Sequence, residues 1–230
     1  MSISAKLKKV KAQGFIRTFE LLFNRVVPAS IFRYSKGDIY EFDMDALANL
    51  DNGADESEFE VRCVTSEAER QQLRKVTWST VPIETTKDDI GFAVFRSGTN
   101  EIVGGVWGGV NNFLEESLAI QFEFQPEQAW LYCAFVDKSV RGTGVYKKLI
   151  SSAIRELRAR GFQQTLGIVQ PWNKISRRMH EKHSQRVCGR MSAMRLFSKV
   201  WVWHQGGLSV DKNVVTQIAR PAKVNIAPTY

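Results

Sequence analysis

A glycine-containing loop between a strand and a helix constrains this chain more than any other feature. Residues 129–136 (AWLYCAFV) form the apolar run of a buried strand, and 145–160 have helical periodicity that stops before Gly161. The connecting loop ends in Arg141-Gly142-Thr143-Gly144. Glycines let a backbone approach a ligand closely, and the N–H groups at a helix start attract an anion. This β–loop–α unit predicts a layered fold with a phosphate site.

The rest of the chain alternates strand and helix signals. Residues 58–65 alternate as a half-buried strand, and 91–96 with 102–110 read as a hairpin. Residues 118–124 and 130–136 predict a second strand pair around Gln125-Pro126-Glu127, while 66–78 and 173–183 predict helices. The predicted strands first pair with one another, and later strands are separated by helices. This order indicates an α+β, or mixed α/β, fold with a sheet flanked by helices.

Charge falls into blocks along the chain. The formal net charge is +8, and residues 138–200 alone hold fifteen Lys and Arg against Glu156 and Glu181. Residues 1–40 hold eight basic and two acidic side chains, whereas 41–80 hold four and ten. The largest basic block surrounds the predicted phosphate loop, which favours a phosphate-bearing cofactor over nucleic acid. Neither a helix-turn-helix nor an RNA-recognition signature accompanies the block, so we expect no specific nucleic-acid partner.

The basic leader predicts an amphipathic helix with an apolar stripe formed by Phe15, Phe19, Leu22, Phe23 and Val26. Two interpretations stay open. Residues 5–27 could contact an anionic membrane, or the helix could pack on its own domain or a second subunit, as in a homodimer. Polar residues interrupt every apolar run long enough to span a bilayer, and no signal-peptide core follows the lysines. Cys63, Cys133 and Cys188 lack the spacing of a zinc site or disulfide framework. We therefore expect no metal, and a cytoplasmic protein that could lie at the inner face of the membrane.

Two segments together resemble the GCN5-related N-acetyltransferases (GNAT). The segment Val136 to Leu149 (VDKSVRGTGVYKKL) is similar to the family's acetyl-CoA loop, [RQ]xxGx[GA], with Arg141 and Gly144 matching and Tyr146 replacing the last small residue. The segment Asn173 to Lys182 (NKISRRMHEK) resembles the family's NxxAxxxYxK helix, with His180 at the tyrosine position. Ser184-Gln185 stands where the family usually has Gly-Phe. The resemblance covers about residues 58–203 and implies a mostly antiparallel twisted sheet with splayed central strands.

The resemblance also implies the cofactor and the residues that bind it. Acetyl-CoA, or another acyl-CoA, would bind along the splayed strand, the loop and the following helix. The implied residues are Phe135, Val136, Arg141, Gly142, Thr143, Gly144, Val145, Tyr146, Asn173 and Ser176. We expect a basic amphipathic helix and extended arm (1–50), a GNAT-like acyltransferase domain (51–205) and a tail packed on or flanking it (206–230).

The implied reaction is direct acyl transfer to a primary amine, and three side chains are candidates for its proton transfers. His180 is the leading acid for the departing thiolate, because a histidine exchanges protons near neutral pH. Glu123, on the strand expected beside 130–136, is a candidate base, and Tyr132 could line the acceptor site or donate a hydrogen bond. Strand alternation places Cys133 on the face opposite Tyr132. Each of the three could instead be structural.

Three functions remain open. The first is the acyltransferase itself, with the acceptor an amino sugar, an envelope-related amine or another amine. The departures at residues 146, 180 and 184–185 are also compatible with a noncatalytic CoA-binding or partner-binding module. A nucleic-acid binder built on the basic block is the third, and would show a strong salt dependence.

Overall fold

The computed structural model describes residues 26–50, 58–77 and 88–227. The predicted leader helix and the residue range 1–25 lie outside these ranges. The described residues form thirteen strands: β1 (Phe32–Phe42), β2 (Phe59–Cys63), β3 (Ile90–Arg96), β4 (Ile102–Gly109), β5 (Asn112–Glu115), β6 (Ile120–Glu123), β7 (Gln128–Val136), β8 (Gln164–Val169), β9 (Ser184–Leu196), β10 (Lys199–Gly206), β11 (Leu208–Val210), β12 (Val214–Val215) and β13 (Ala222–Ile226). The α-helices are α1 (Met44–Ala48), α2 (Glu67–Thr77), α3 (Val145–Ala159) and α4 (Lys174–His183).

Nine strands form one sheet in the order β12-β10-β9-β1-β8-β7-β4-β3-β2. Neighbouring strands within it are antiparallel except for β7 and β8, which run parallel because α3 connects them. A second sheet has the order β11-β13-β6-β5. The predicted mixed α and β fold with a mostly antiparallel central sheet is confirmed.

The two faces of the nine-stranded sheet carry different layers. On β3, Phe92 and Val94 pack into a core with the buried stripe of α3, whereas Ala93 and Phe95 pack into a core with α2 and the second sheet. The α3 stripe follows from apolar residues at helical spacing, which are Val145, Leu149, Ile150, Ala153, Ile154 and Leu157. The fold therefore has a helical layer, a central sheet, and a third layer made of α2 and the small sheet.

Helix α2, which the sequence predicted over 66–78, begins at a reciprocal capping box. The Ser66 hydroxyl accepts from the Glu69 N–H over 3.2 Å, and the Glu69 carboxylate accepts from the Ser66 N–H over 3.4 Å. The helix packs on β4 through Leu73, and a side chain at Gly105 would lie 2.2 Å from the Leu73 methyl group. A glycine at this point of β4 is what allows the close approach of α2 to the sheet.

The segment predicted as an extended arm is a central strand. β1 pairs with β8 on one side and with β9 on the other, and Ile39 at its middle is fully buried. Its apolar side chains complete the cores on both faces, so residue 50 is not a structural boundary. The segment after 205 supplies β11, β12 and β13, and β13 pairs in parallel with β6.

The strand pair predicted from 118–124 and 130–136 does not form. β6 and β7 lie in different sheets, and β7 pairs with β4 and β8 instead. Both segments have the apolar alternation of a strand, but alternation does not specify the partner. Among the described residues, no helix combines the length and apolar character needed to cross a bilayer.

Candidate active site

The central feature of the molecule is a gap between β7 and β8. The two strands pair only at their beginnings, from Gln128 opposite Gln164 to Trp130 opposite Leu166. Beyond that point β7 continues along β4, with Val136 opposite Gly104, while β8 continues along β1. The strands therefore splay, as the resemblance implied, and the backbone of the second half of β7 faces the gap.

A cavity of about 950 Å³ occupies this gap. Its lining comes from both faces of the nine-stranded sheet, with α3 residues such as Val145 and Ile150 on one side and the small-sheet residues Phe113 and Phe122 on the other. The cavity thus passes through the sheet at the splay. One half of the cavity lies at the start of α3, and we call this the loop half. The other half lies between β7 and the small sheet, and we call this the aromatic half.

The backbone of the glycine-containing loop has the shape expected of an anion cradle. Gly142 and Gly144 have φ angles of 89° and 84°, which favour glycine because a Cβ atom is strained there. Within the part of the chain that the structure describes, no side chain caps the start of α3, so the first-turn N–H groups, which a helix cannot satisfy internally, remain available. The helix dipole adds positive potential at the same point.

The loop half brings together most residues predicted to bind the cofactor. Nine of the ten line the cavity, and these are Phe135, Val136, Arg141, Gly142, Gly144, Val145, Tyr146, Asn173 and Ser176. Thr143 is not part of the lining; its hydroxyl donates to the Val140 carbonyl over 2.8 Å and holds the loop. Burial raises the pKa of Tyr146 to about 12, so its phenol is protonated at neutral pH.

The basic side chains around the loop have different surroundings. Arg141 donates from Nε to the Val136 carbonyl over 3.0 Å, which ties the loop to the end of β7. Lys147 lines the cavity. Lys148, the next residue along α3, instead donates from Nζ to the Phe59 carbonyl over 2.6 Å. Successive helix residues point about 100° apart, so two adjacent lysines need not serve one ligand.

His180 lines the cavity and is 8% exposed, packed beside the rings of Tyr40 and Phe42. Its Nδ1 lies 2.8 Å from the Ser176 carbonyl oxygen. A carbonyl only accepts, so the proton of the neutral ring is on Nδ1 and Nε2 carries a lone pair. Burial lowers the pKa of His180 and disfavours the imidazolium. This geometry favours a proton acceptor over the acid that the sequence analysis proposed.

Tyr132 lines the aromatic half, and its hydroxyl is already engaged. It donates to Oδ2 of Asp89 over 2.6 Å, with both residues 7% exposed. Burial is the main cause that raises the pKa of Asp89 to about 6, and burial likewise raises the pKa of Tyr132. Tyr132 is therefore a part of the cavity wall whose side chain is fixed by its hydrogen bond to Asp89.

Glu123 does not reach the cavity, which corrects its assignment as a candidate base. Along β6, Ile120 and Phe122 line the cavity, so the alternating residue Glu123 faces the other side of the small sheet. Its carboxylate pairs with Lys223 of β13 over 2.6 Å. The expected position of Glu123 rested on a pairing of β6 with β7 that does not form.

The carboxylate that does line the cavity is Glu115 of β5. Its Oε1 accepts from the Ser117 hydroxyl over 2.5 Å. Glu115 and Cys133 of β7 line the same cavity, and burial, followed by the negative charge of Glu115, raises the pKa of Cys133 to about 12. Glu115 is not among the residues predicted from the sequence, although alternation with Phe113 along β5 places both on one face.

Cys133 does not point away from Tyr132 as strict alternation predicted. Between Tyr132 opposite Trp107 and Phe135 opposite Gly105, β7 has one residue more than β4, and Cys133 has a φ of 53°. This is a β-bulge, which changes the direction of side chains locally. Both Tyr132 and Cys133 consequently line the cavity. The bulge lies at the splay, where β7 has left β8.

Comparison with protein families identifies the fold. The model of the acetyltransferase (GNAT) family matches residues 52–184, which is more than half of the chain and includes the loop and α4. The chain belongs to the GNAT acetyltransferase family. A comparison with curated proteins finds no match.

Several solved structures are similar to this GNAT chain. A Drosophila protein is 14% identical with a TM-score of 0.49, and the match covers 78% of this chain and 56% of that one. The aminoglycoside acetyltransferase AAC(6')-Iy, in complex with the bisubstrate analog CoA-S-monomethyl-acetylneamine, is 21% identical with a TM-score of 0.42 over 57% of this chain and 95% of that one. A putative GNAT acetyltransferase from Novosphingobium aromaticivorans is 14% identical with a TM-score of 0.47 over 71% and 66%. This chain therefore spans just over half the length of the Drosophila protein.

The GNAT match leaves out two elements that shape the site. β1 precedes the matched range and supplies Phe42 beside His180. β9 follows it and supplies Met191 to the cavity lining. Among the described residues, no group of three or more His, Cys, Asp or Glu side chains is arranged to hold a metal ion.

Proposed function

We propose that this protein is an N-acetyltransferase that transfers an acetyl group from acetyl-CoA to a primary amine. The observation that carries the proposal is the cavity that passes through the sheet. It joins an anion cradle at the start of α3 to a pocket on the opposite face, so two substrates can approach the splay of β7 from different sides.

The residues of the loop half fit the chemistry of coenzyme A. Its pyrophosphate needs several N–H donors and positive potential, which Gly142, Gly144 and the first turn of α3 supply. Its pantetheine arm carries amides, which match the free edge of β7 between 132 and 136. When bound, acetyl-CoA supplies an activated acyl carbon, and the chain has to orient the amine and move protons.

The proton balance of the transfer points to two side chains. A protonated amine must lose a proton before its nitrogen can bond to the acyl carbon, and the sulfur gains a proton when the carbon–sulfur bond breaks. The carboxylate of Glu115 and the lone pair on Nε2 of His180 are the proton acceptors in the cavity lining that the structure favours. The proton that the amine loses can reach the thiolate through solvent in the open cavity.

The decisive experiment measures cofactor binding and turnover on the same protein. We expect saturable binding of CoA by calorimetry, release of free thiol when acetyl-CoA and an amine are both present, and a mass increase of one acetyl group on the amine. Gly144→Asp should abolish both activities, because it brings a side chain and a negative charge to the cradle. Tight acetyl-CoA binding by the Gly144→Asp protein would contradict the proposal.

A noncatalytic CoA-binding module is the second candidate, and it is favoured by one observation. Position 180 holds a buried histidine whose neutral form has no proton on Nε2, so it cannot donate as the family's tyrosine does. This alternative predicts that the protein binds CoA saturably but releases no thiol above the uncatalysed rate with any amine tested. Amine-dependent thiol release that disappears in Glu115→Gln would exclude it.

A further inference from the structure

The aromatic half of the cavity has a continuous wall of rings. The Phe113 ring centroid lies 4.8 Å from that of Tyr132 and 6.3 Å from those of Phe122 and Trp130. Phe122 and Trp130 stack on each other at 4.9 Å. Strand alternation explains the wall, because Phe113 of β5 pairs with Phe122 of β6 on the face turned to the cavity.

One acidic group accompanies these rings. Among the described residues that line the cavity, Glu115 is the sole carboxylate, and the lining cations Arg141 and Lys147 belong to the loop half. Glu115 lies two residues from Phe113 on the same strand and opposite Ile120, so the carboxylate and the ring wall share a face. The Ser117 hydroxyl donates to Oε1, which leaves Oε2 as a further acceptor.

This combination discriminates between classes of amine. A polyamine or an aminoglycoside carries several positive charges and many polar groups, and burying them against rings without partners is unfavourable. An amine with one charge and an aromatic body would match both the single carboxylate and the apolar wall. Aromatic rings gain from offset or edge contacts with other rings beyond the simple burial of area.

We propose that the acceptor is an arylalkylamine, whose ammonium group pairs with Glu115 and whose ring packs against Phe113, the most exposed ring of the aromatic wall. This inference rests on the proposed acetyl transfer and deepens it by naming the acceptor class. The aliphatic linker between the ring and the nitrogen spans from the ring wall towards the splay of β7, where Cys133 and Glu115 both line the cavity. The amine nitrogen is thereby held at the side of the gap opposite the loop half.

The test compares amines of different shape and charge with the full-length chain and acetyl-CoA. Phenethylamine and tryptamine are the aromatic monoamines, 2-cyclohexylethylamine tests apolar bulk without aromaticity, and spermidine and neamine are the polycations. We expect kcat/KM for the aromatic monoamines to exceed that for the polycations by about 100-fold, since two or more unpaired charges must be desolvated. A polycation used better than every monoamine would overturn the inference.

Matched variants separate substrate contact from packing. Phe113→Leu removes a ring from the cavity, and should lower kcat/KM for phenethylamine about 10-fold, mainly through KM. Phe124→Leu is the control, because Phe124 stacks on Trp130 at 5.5 Å but is not part of the cavity lining. Glu115→Gln should lower kcat/KM about 10- to 100-fold by removing the partner of the ammonium group, with exposed Glu116→Gln as its control. Equal losses in Phe113→Leu and Phe124→Leu would contradict a direct contact.

A binding measurement keeps this inference distinct from the proposed function. Saturation-transfer NMR detects phenethylamine on the protein whether or not turnover occurs, and calorimetry reports CoA. If CoA does not bind, acetyl transfer is wrong, and the NMR signal still decides whether the aromatic half takes an arylalkylamine. If CoA binds and thiol is released with neamine while phenethylamine gives no signal, the acceptor class is wrong and acetyl transfer stands.

Discussion

The hydroxyl of Tyr132 donates to the carboxyl of Asp89 over 2.6 Å, so a ring that faces the cavity is held from behind by a buried acid. Asp89 also accepts from the Val110 N–H, which connects it to the end of β4. The pair orients the wall of the aromatic half and makes the stability of the fold depend on the charge of Asp89.

Replacing Asp89 by asparagine should stabilise the protein above pH 6. Burial raises the pKa of Asp89 to about 6 from a usual value of 3.8. Its contribution to stability is therefore fully present below pH 3.8 and is lost as the pH rises through 6. Ionisation of Asp89 in the folded protein therefore lowers the free energy of unfolding by about 3 kcal/mol, at 1.36 kcal/mol per pKa unit. Asp89→Asn cannot ionise and keeps an acceptor for Tyr132.

Urea unfolding at pH 4.5 and pH 8 measures this effect. The gain from Asp89→Asn should be larger at pH 8 than at pH 4.5. A loss of stability that is equal at both pH values would mean that Asp89 does not titrate as its burial predicts.

The tautomer of His180 can be read directly by NMR. With Nδ1 donating to the Ser176 carbonyl, the ¹⁵N spectrum at pH 7 should show a protonated Nδ1 and an unprotonated Nε2. The midpoint of its titration should lie below 6.5, because burial lowers its pKa. Stability should accordingly fall as the pH drops below 6.5, where the unfolded histidine binds a proton that the folded one does not. His204, on β10 outside the cavity lining, is the internal comparison. A proton found on Nε2 of His180 would instead support its role as a proton donor to the thiolate.

Two glycines test whether the loop backbone binds the cofactor. Gly142→Ala and Gly161→Ala both introduce a Cβ atom at a positive φ, 89° and 93°, with open space around it. Each should cost about 1–2 kcal/mol of stability through backbone strain. Only Gly142→Ala should weaken CoA binding, by about 10-fold, because it disturbs N–H groups that donate to a charged ligand. Equal CoA affinities in calorimetry would place the anion elsewhere.

Substitutions at two fully buried tryptophans distinguish the contribution of packing to stability from that of a hydrogen bond. Trp107 donates from Nε1 to the Thr77 hydroxyl over 3.0 Å, whereas Nε1 of Trp130 has no partner among the described residues. Changing either to phenylalanine removes similar volume. Trp107→Phe should therefore be less stable than Trp130→Phe by about 1 kcal/mol, the usual value of one hydrogen bond. Identical midpoints in urea unfolding would show that the Trp107 bond contributes nothing.

Removing the charge of Glu123 should leave turnover unchanged, whereas removing that of Glu115 should lower it. Glu123→Gln breaks a partly exposed pair with Lys223 and should cost less than about 1 kcal/mol. It should leave kcat/KM unchanged, since Glu123 lies outside the cavity lining. A large loss of turnover in Glu123→Gln, measured beside Glu115→Gln, would contradict the orientation of β6.

Local patterns predicted the parts of the fold that local interactions determine. The helix expected over 145–160 is observed as Val145–Ala159, and the hairpin of β3 and β4 forms as its turn predicted. The glycine loop and α4 stand where the sequence motifs placed them. Periodicity and capping depend on residues within a few positions of each other, so one sequence is enough to read them.

The missed features depend on contacts between distant segments. Glu115 and Glu123 are both strand carboxylates next to apolar residues, and only the pairing of β6 with β5 and β13 decides which one faces the cavity. Burial in the folded chain raises the pKa of Asp89, and its hydrogen-bond donor Tyr132 lies on β7, far along the chain. The bulge at Cys133 likewise exists only relative to β4.

The position of β1 has a consequence for how the molecule folds. Ile39 lies opposite Ile168 on one side and opposite Gly189 on the other, so this central strand has both its partners far along the chain. Contacts between such distant segments require the closure of long loops, which slows folding. The gap that holds the cavity adjoins β8, and β8 gains its second neighbour only when β1 inserts. Refolding should therefore restore the α3 layer early and the binding cavity late, with CoA binding recovered in the slowest phase.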